Sequence, residues 1–120
     1  MTKPPISWLG DVAEHDYEAA FNYLSLKMDK KNANEIVDRM KKAKVTSRRA
    51  NDILRATGLT PLPLTDPGVQ RDLLKLLTGE KLSPVLVCDQ RSGSDIADGY
   101  HRVSLAYNID PFMSVPLRLG

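Results

Sequence analysis

Ile96-Ala97-Asp98-Gly99-Tyr100-His101-Arg102-Val103 is the stretch on which the reading of the fold turns. Ile96 and Ala97 suit a short strand that Asp98-Gly99 closes, and residues 100–108 follow as a helix with Val103, Ala106 and Tyr107 inward. A helix that starts there leaves its first backbone N–H groups without intrahelical partners, at the positive end of its dipole. Gly99 lets an anion come close to the backbone. His101 and Arg102 add side-chain donors, the latter as a fork matched to phosphate oxygens. Loop, helix end and cation together predict an anion site.

The pattern extends outward from this stretch. Downstream, Val115-Pro116-Leu117-Arg118-Leu119 predicts a closing strand, with Pro116 placing it at a sheet edge or at a strand start. Upstream, Pro84-Val85-Leu86-Val87-Cys88 is a continuous apolar run, as in a strand buried on both faces. Arg91-Ser92-Gly93-Ser94 reads as the turn between the two strands. Asp66-Pro67 predicts a capped helix start, with Val69, Leu73, Leu76 and Leu77 as its buried face and Gly79 as its end. Pro61 and Pro63 hold an extended connector before it. Val45-Thr46-Ser47 suits extended chain, and Asn51 or Asp52 caps a short helix, Ile53 to Ala56, that Gly58 stops.

Before that point the period is helical. Asp16 is placed as the cap of a first helix with Tyr17, Ala20, Phe21, Leu24 and Met28 on one face. Asn32 and Glu35 form a capping box for a second, with Ala33, Ile36, Val37 and Met40 inward. Trp8 and Leu9 form a hydrophobic clasp on the core. The expectation is an α+β fold with a small mixed sheet. Residues 1–43 form an N-terminal helical hairpin packed on a core of residues 44–120, in one compact unit.

Composition narrows the class. The chain has 120 residues, 42% hydrophobic and 27% charged, as expected of one globular domain. No apolar stretch approaches the ~20 residues that cross a bilayer. Met1 to Ile6 does not resemble a secretion signal. With Cys88 alone, an internal disulfide is excluded and a zinc cluster is not expected; a cytoplasmic location fits best. The net charge of +2 hides an asymmetry: nine basic residues between Lys27 and Arg49 face only Asp29, Glu35 and Asp38. Such a segment suits nucleic acid or simply a solvated helix face, and its few aromatics favour the latter.

The strand, the Asp-Gly-x-His-Arg loop, the helix and the Val-Pro strand stand in a set order. Together, IADGYHRVSLAYNIDPFMSVPLRL and the preceding LSPVLVCD resemble the ParB/sulfiredoxin-like superfamily over roughly residues 44–119. ANDILRATGL is similar to that family's early strand-to-helix stretch. The resemblance implies nucleotide binding, ATP or CTP with Mg²⁺, with Gly99, Tyr100, His101 and Arg102 at the phosphate-contacting loop. It implies Asp98 as the acidic position, a candidate catalytic residue and a metal contact only through a Mg-nucleotide. Arg48, Arg49, Asp52 and Arg55 are second-rank candidates near the pocket. Family chemistries include a phosphohydrolase or a kinase. Tyr100 stands where sulfiredoxins carry their reactive cysteine, which disfavours a reductase, and scattered carboxylates disfavour a two-metal nuclease.

Each residue also has a plainer reading. Asp98 as a helix cap would contribute ~1 kcal/mol. Arg102 pairs with Asp98 or Asp110 if it does not meet an external anion. His101 in a first helical turn is often only a surface residue, and Cys88 on a buried strand reads as a small core hydrophobe. A nucleotide-dependent enzyme or switch is the first functional expectation. A non-catalytic nucleic-acid-binding or protein-interaction module is the second.

Overall fold

The structure, a computed structural model, describes residues 6–89 and 93–120. The predicted turn at Arg91-Ser92 and the first five residues lie outside the described residues. Helices α1 (Glu14–Leu24) and α2 (Lys30–Lys42) precede strand β1 (Thr46–Arg49). Helices α3 (Ala50–Thr57) and α4 (Pro67–Leu77) then lead to strands β2 (Val85–Cys88) and β3 (Asp95–Asp98). Helix α5 (Tyr100–Ile109) and strand β4 (Ser114–Leu119) close the chain. The fold is α+β, with a mixed sheet in the order β1-β4-β2-β3. β4 runs antiparallel to β1 and parallel to β2, and β3 runs antiparallel to β2.

Strand alternation explains why both faces of this sheet are covered. Val85 and Val87 of β2 turn toward a core shared with Ile53, Leu54, Val69, Val103 and Leu105 of α3, α4 and α5. Leu86 and Cys88 turn the other way, toward Ala20 and Leu24 of α1 and Ile36, Val37 and Met40 of α2. The apolar run read as a strand buried on both faces is so buried at all four positions. The helical hairpin is therefore packed on the sheet and supplies one of its two cores. Trp8 pairs with Leu82, and the amide of Leu9 donates to the Leu82 carbonyl at 2.8 Å, which docks the opening segment as a clasp.

Several boundaries differ from expectation, each for a physical reason. Asp16 lies inside α1, which starts at Glu14 behind Ala13, because its carboxylate is drawn into a tertiary ion pair. Asp29, not Asn32, caps α2, accepting the Asn32 amide at 2.8 Å. Neither Asn51 nor Asp52 caps α3; the amides of Ala50 and Asn51 donate instead to the carbonyls of Met113 and Pro111, each at 2.9 Å. Gly58 ends α3 in the left-handed region at φ 68°, as expected of a helix-stopping glycine. Asp66 caps α4 through the amides of Gly68 and Val69. Leu77, expected inward, is 69% exposed, while Leu73 and Leu76 pack on the core. β4 is an interior strand, and Pro116 is tolerated because pairing with β2 begins only at Leu117.

Arg118 ties β4 to the hairpin. Its Nε and Nη2 hold Asp11 at 2.9 and 2.8 Å, and its Nη1 donates to the carbonyls of Lys41 and Ala43 at the end of α2. Arg118→Ala strands those C-terminal carbonyls, and urea denaturation is expected to show a loss of about 2 kcal/mol. Asp11→Asn, at an exposed carboxylate, should cost far less; equal losses would show that the α2 carbonyls are not what Arg118 stabilises.

Candidate functional site

The Asp98-Gly99 junction is built as the pattern requires. β3 ends at Asp98, Gly99 takes φ 111°, and α5 begins at Tyr100. A side chain at Gly99 would be strained there and would meet Val85 Cγ2 at 2.9 Å and Arg102 Nη2 at 3.0 Å. No side chain caps α5, so Asp98 is not its cap. The first helical bond runs from the Val103 amide to the Gly99 carbonyl at 3.0 Å. Among the described residues, the backbone amides of Tyr100, His101 and Arg102 donate to nothing.

Arg102 faces inward. Its Nη2 lies 2.8 Å from Asp98 Oδ2 and 3.3 Å from Asp16 Oδ2, and its side chain is only 15% exposed. It also reaches the Pro84 carbonyl at 3.4 Å. Nη2 alone makes these contacts, Nε being buried with no partner among the described residues, and it joins α5 on one face of the sheet to α1 on the other. Burial raises the Asp98 carboxyl above the usual carboxylate range; Arg102 opposes this, and the adjoining Asp16 carboxyl adds to it. Two carboxyls share one guanidinium here.

His101 is presented differently. Its ring lies against the backbone of Gly68, where a Cβ would collide with it, and its Nε2 is 3.5 Å from Asp66 Oδ2. The side chain is 51% exposed, so the imidazole stands at the mouth of the junction between the N-termini of α4 and α5. Tyr100 stacks beside it, with ring centroids 6.5 Å apart, and donates its hydroxyl to the Thr60 carbonyl. Asp72 of α4 is the residue that the sequence reading missed. It is 8% exposed, donates to and accepts from no described side chain, and burial raises its carboxyl, opposed by the charges of Arg102, Lys75 and His101. A buried titratable group beside a helix start marks a functional candidate, but only the fold places it next to His101.

The second-rank residues lie elsewhere. Arg48 bonds to Thr46 and Ser47 of its own strand, and Arg49 lies 5.7 Å from the Phe112 ring centroid. Arg55 pairs with Asp52 at 3.5 Å. None of them is brought to Gly99. In the Lys27 to Arg49 segment, Lys27 is bound to Asp95, whereas Lys30, Lys31, Arg39, Lys42 and Lys44 have no carboxylate within ion-pair distance among the described residues. Cys88 is buried, and burial pushes its thiol up, which suits a core hydrophobe. Among the described residues, no group of three or more His, Cys, Asp and Glu side chains is arranged to hold a metal ion. Asp98, held by Arg102, belongs to no such group. No described helix is long and apolar enough to cross a membrane. Searches of family models, curated proteins and solved structures return no match to this chain.

Arg102→Ala removes the guanidinium that Asp16 and Asp98 share, leaving Asp16 only the exposed His15 at 3.1 Å, and a loss of about 3–5 kcal/mol is expected in urea denaturation. Adding Asp98→Asn should recover part of it, and no recovery would show that carboxyl repulsion is not the cause. Asp72 has a raised folded-state pKa, so its contribution is favourable at acid pH and lost as pH rises through that raised value. Asp72→Asn should therefore match the parent at acid pH and exceed it in stability at neutral pH. Parallel stability curves for the two proteins across that range would contradict this.

Proposed function

We propose that this chain is a ParB/sulfiredoxin-like nucleotide-binding domain that holds the phosphates of ATP or CTP, with Mg²⁺ carried on the nucleotide, at the start of α5. The observation that carries the reading is the set of unbonded amides at Tyr100, His101 and Arg102 behind Gly99, next to a half-exposed imidazole. Fixed N–H groups at a helix start bind an anion without any rearrangement of the chain. His101 supplies a further donor from the rim. Gly68 matters because its missing side chain is what lets the His101 ring lie flat over α4.

Arg102 has a different part in this reading from the one its motif position implies. With its guanidinium held by Asp98 and Asp16, it fixes the strand-to-helix junction and leaves phosphate contact to the amides and His101. Asp98 is held in turn, so its part is to position Arg102. The reading is therefore of binding, with no reaction attached.

Calorimetry with ATP, CTP and GTP, each with Mg²⁺, tests it. At least one nucleotide is expected to bind with Kd below about 1 mM, an interaction of roughly 4 kcal/mol. His101→Ala should weaken it about tenfold, the loss of one charge-assisted contact. Gly68→Ala, which a helix tolerates, should weaken it similarly by displacing the imidazole. No heat with any nucleotide at millimolar concentration, or unchanged binding in both variants, sinks the proposal.

A further inference from the structure

An apolar recess lies at the opposite end of the sheet from Gly99. There the parallel strands β2 and β4 both end, and α3 crosses above them. The cavity holds about 260 Å³, floored by Ile53 and Ala56 of α3, Val87 of β2, and Leu117 of β4. Crevices beyond the carboxyl ends of parallel strands are where open α/β sheets take ligands, because the covering elements diverge there. A dry cavity of roughly 150 Å³ already admits benzene, so this one has room for a bicyclic ring.

Its rim is not neutral. Arg48 stands at the lip with its Nη1 donating to Thr46 Oγ1 at 3.1 Å and to the Ser47 carbonyl at 2.9 Å. One nitrogen therefore anchors the guanidinium to its own strand. Nε and Nη2 donate to no described residue, and no carboxylate lies within ion-pair distance of them. Asp52, the acidic residue on the same rim, is turned to Arg55 at 3.5 Å. An apolar floor beside a held, half-used fork matches a molecule with a hydrocarbon body and one terminal anion.

The geometry points to a second ligand site here, for a small amphipathic anion: an aromatic or branched hydrocarbon of up to two fused rings that carries one carboxylate or phosphate. The body fills the recess between α3 and the ends of β2 and β4, and the anionic group takes Nε and Nη2 of Arg48. The site shares no residue with the α5 junction, so it stands whether or not that junction binds a nucleotide.

Amide chemical shifts of the ¹⁵N-labelled full chain, titrated with indole-3-acetate, phenyl phosphate and neutral 3-methylindole, test the site. Saturable shifts are expected at Ile53, Val87, Leu117 and Leu119 with at least one anion, and about tenfold weaker binding is expected for 3-methylindole. Which anion binds more tightly tells a carboxylate ligand from a phosphate one. Arg48→Met keeps the aliphatic stem and should erase the preference for the anion, and Ala56→Leu should block all three probes. The inference is overturned by an absence of saturable shifts with either anion at 10 mM, a concentration that reaches interactions of about 3 kcal/mol. It is equally overturned by shifts confined to residues 99–102, or by an unchanged anion preference in Arg48→Met.

Discussion

The fold depends on one guanidinium placed across the end of a four-stranded sheet. Arg102 starts on α5, passes beneath Gly99, and meets Asp98 at the end of β3 and Asp16 on α1. The sheet has a separate apolar core on each face, and hydrophobic contact alone does not fix how the two helical layers register against each other. A charged nitrogen between them, Nη2 of Arg102, does, because its carboxylate partners have direction and a packed hydrocarbon surface has little. The requirement on Gly99 follows from this. The Arg102 fork and Val85 occupy the space a Cβ would take, and φ 111° would strain any residue with one.

The clip explains how a helix can begin without a cap. At α2 and α4 the aspartate immediately before the helix turns back to satisfy the first amides; at α5 that place is held by Gly99, and Asp98, one residue further back, is committed to Arg102. The first amides of α5 have no partners among the described residues. That costs stability, and such a cost is commonly found where backbone groups are kept open for a ligand. The same arrangement crowds carboxyls: Asp16 and Asp98 on one guanidinium, with Asp72 buried nearby and burial raising both Asp98 and Asp72.

The sequence made the local grammar of this fold legible and left its tertiary partners hidden. A four-residue apolar run without alternation announced a strand covered on both faces, and β2 is one. Gly58 and Asp66-Pro67 marked helix limits because their chemistry acts within a few residues. Asp16 was misplaced as a cap because its partner Arg102 is 86 positions away, and nothing local distinguishes a capping aspartate from a buried one. Arg102 was expected to face an external anion for the same reason. Asp72 reads as one more polar position on an amphipathic helix until α4 is laid against α5. Pro116 was half legible: a strand start was a permitted reading, but the interior place of β4 depends on β1, whose exposed Ser47 and Arg48 carry little strand signal.

Charge and shape divide the two ends of the sheet. At the α5 end, donors are backbone amides fixed by helix geometry, the nearest guanidinium is neutralised, and carboxyls stand close behind. At the other end the donor is a side chain, Arg48, beside an apolar recess, with its nearest carboxylate turned to Arg55. The first arrangement offers an anion fixed amides with carboxyls close behind them. The second suits a single charge on a greasy body, which needs one fork and a dry wall. The difference follows from strand direction. β3 delivers Asp98 into a helix start, whereas β2 and β4 run out together beneath α3 and leave side chains, not amides, to line what lies beyond.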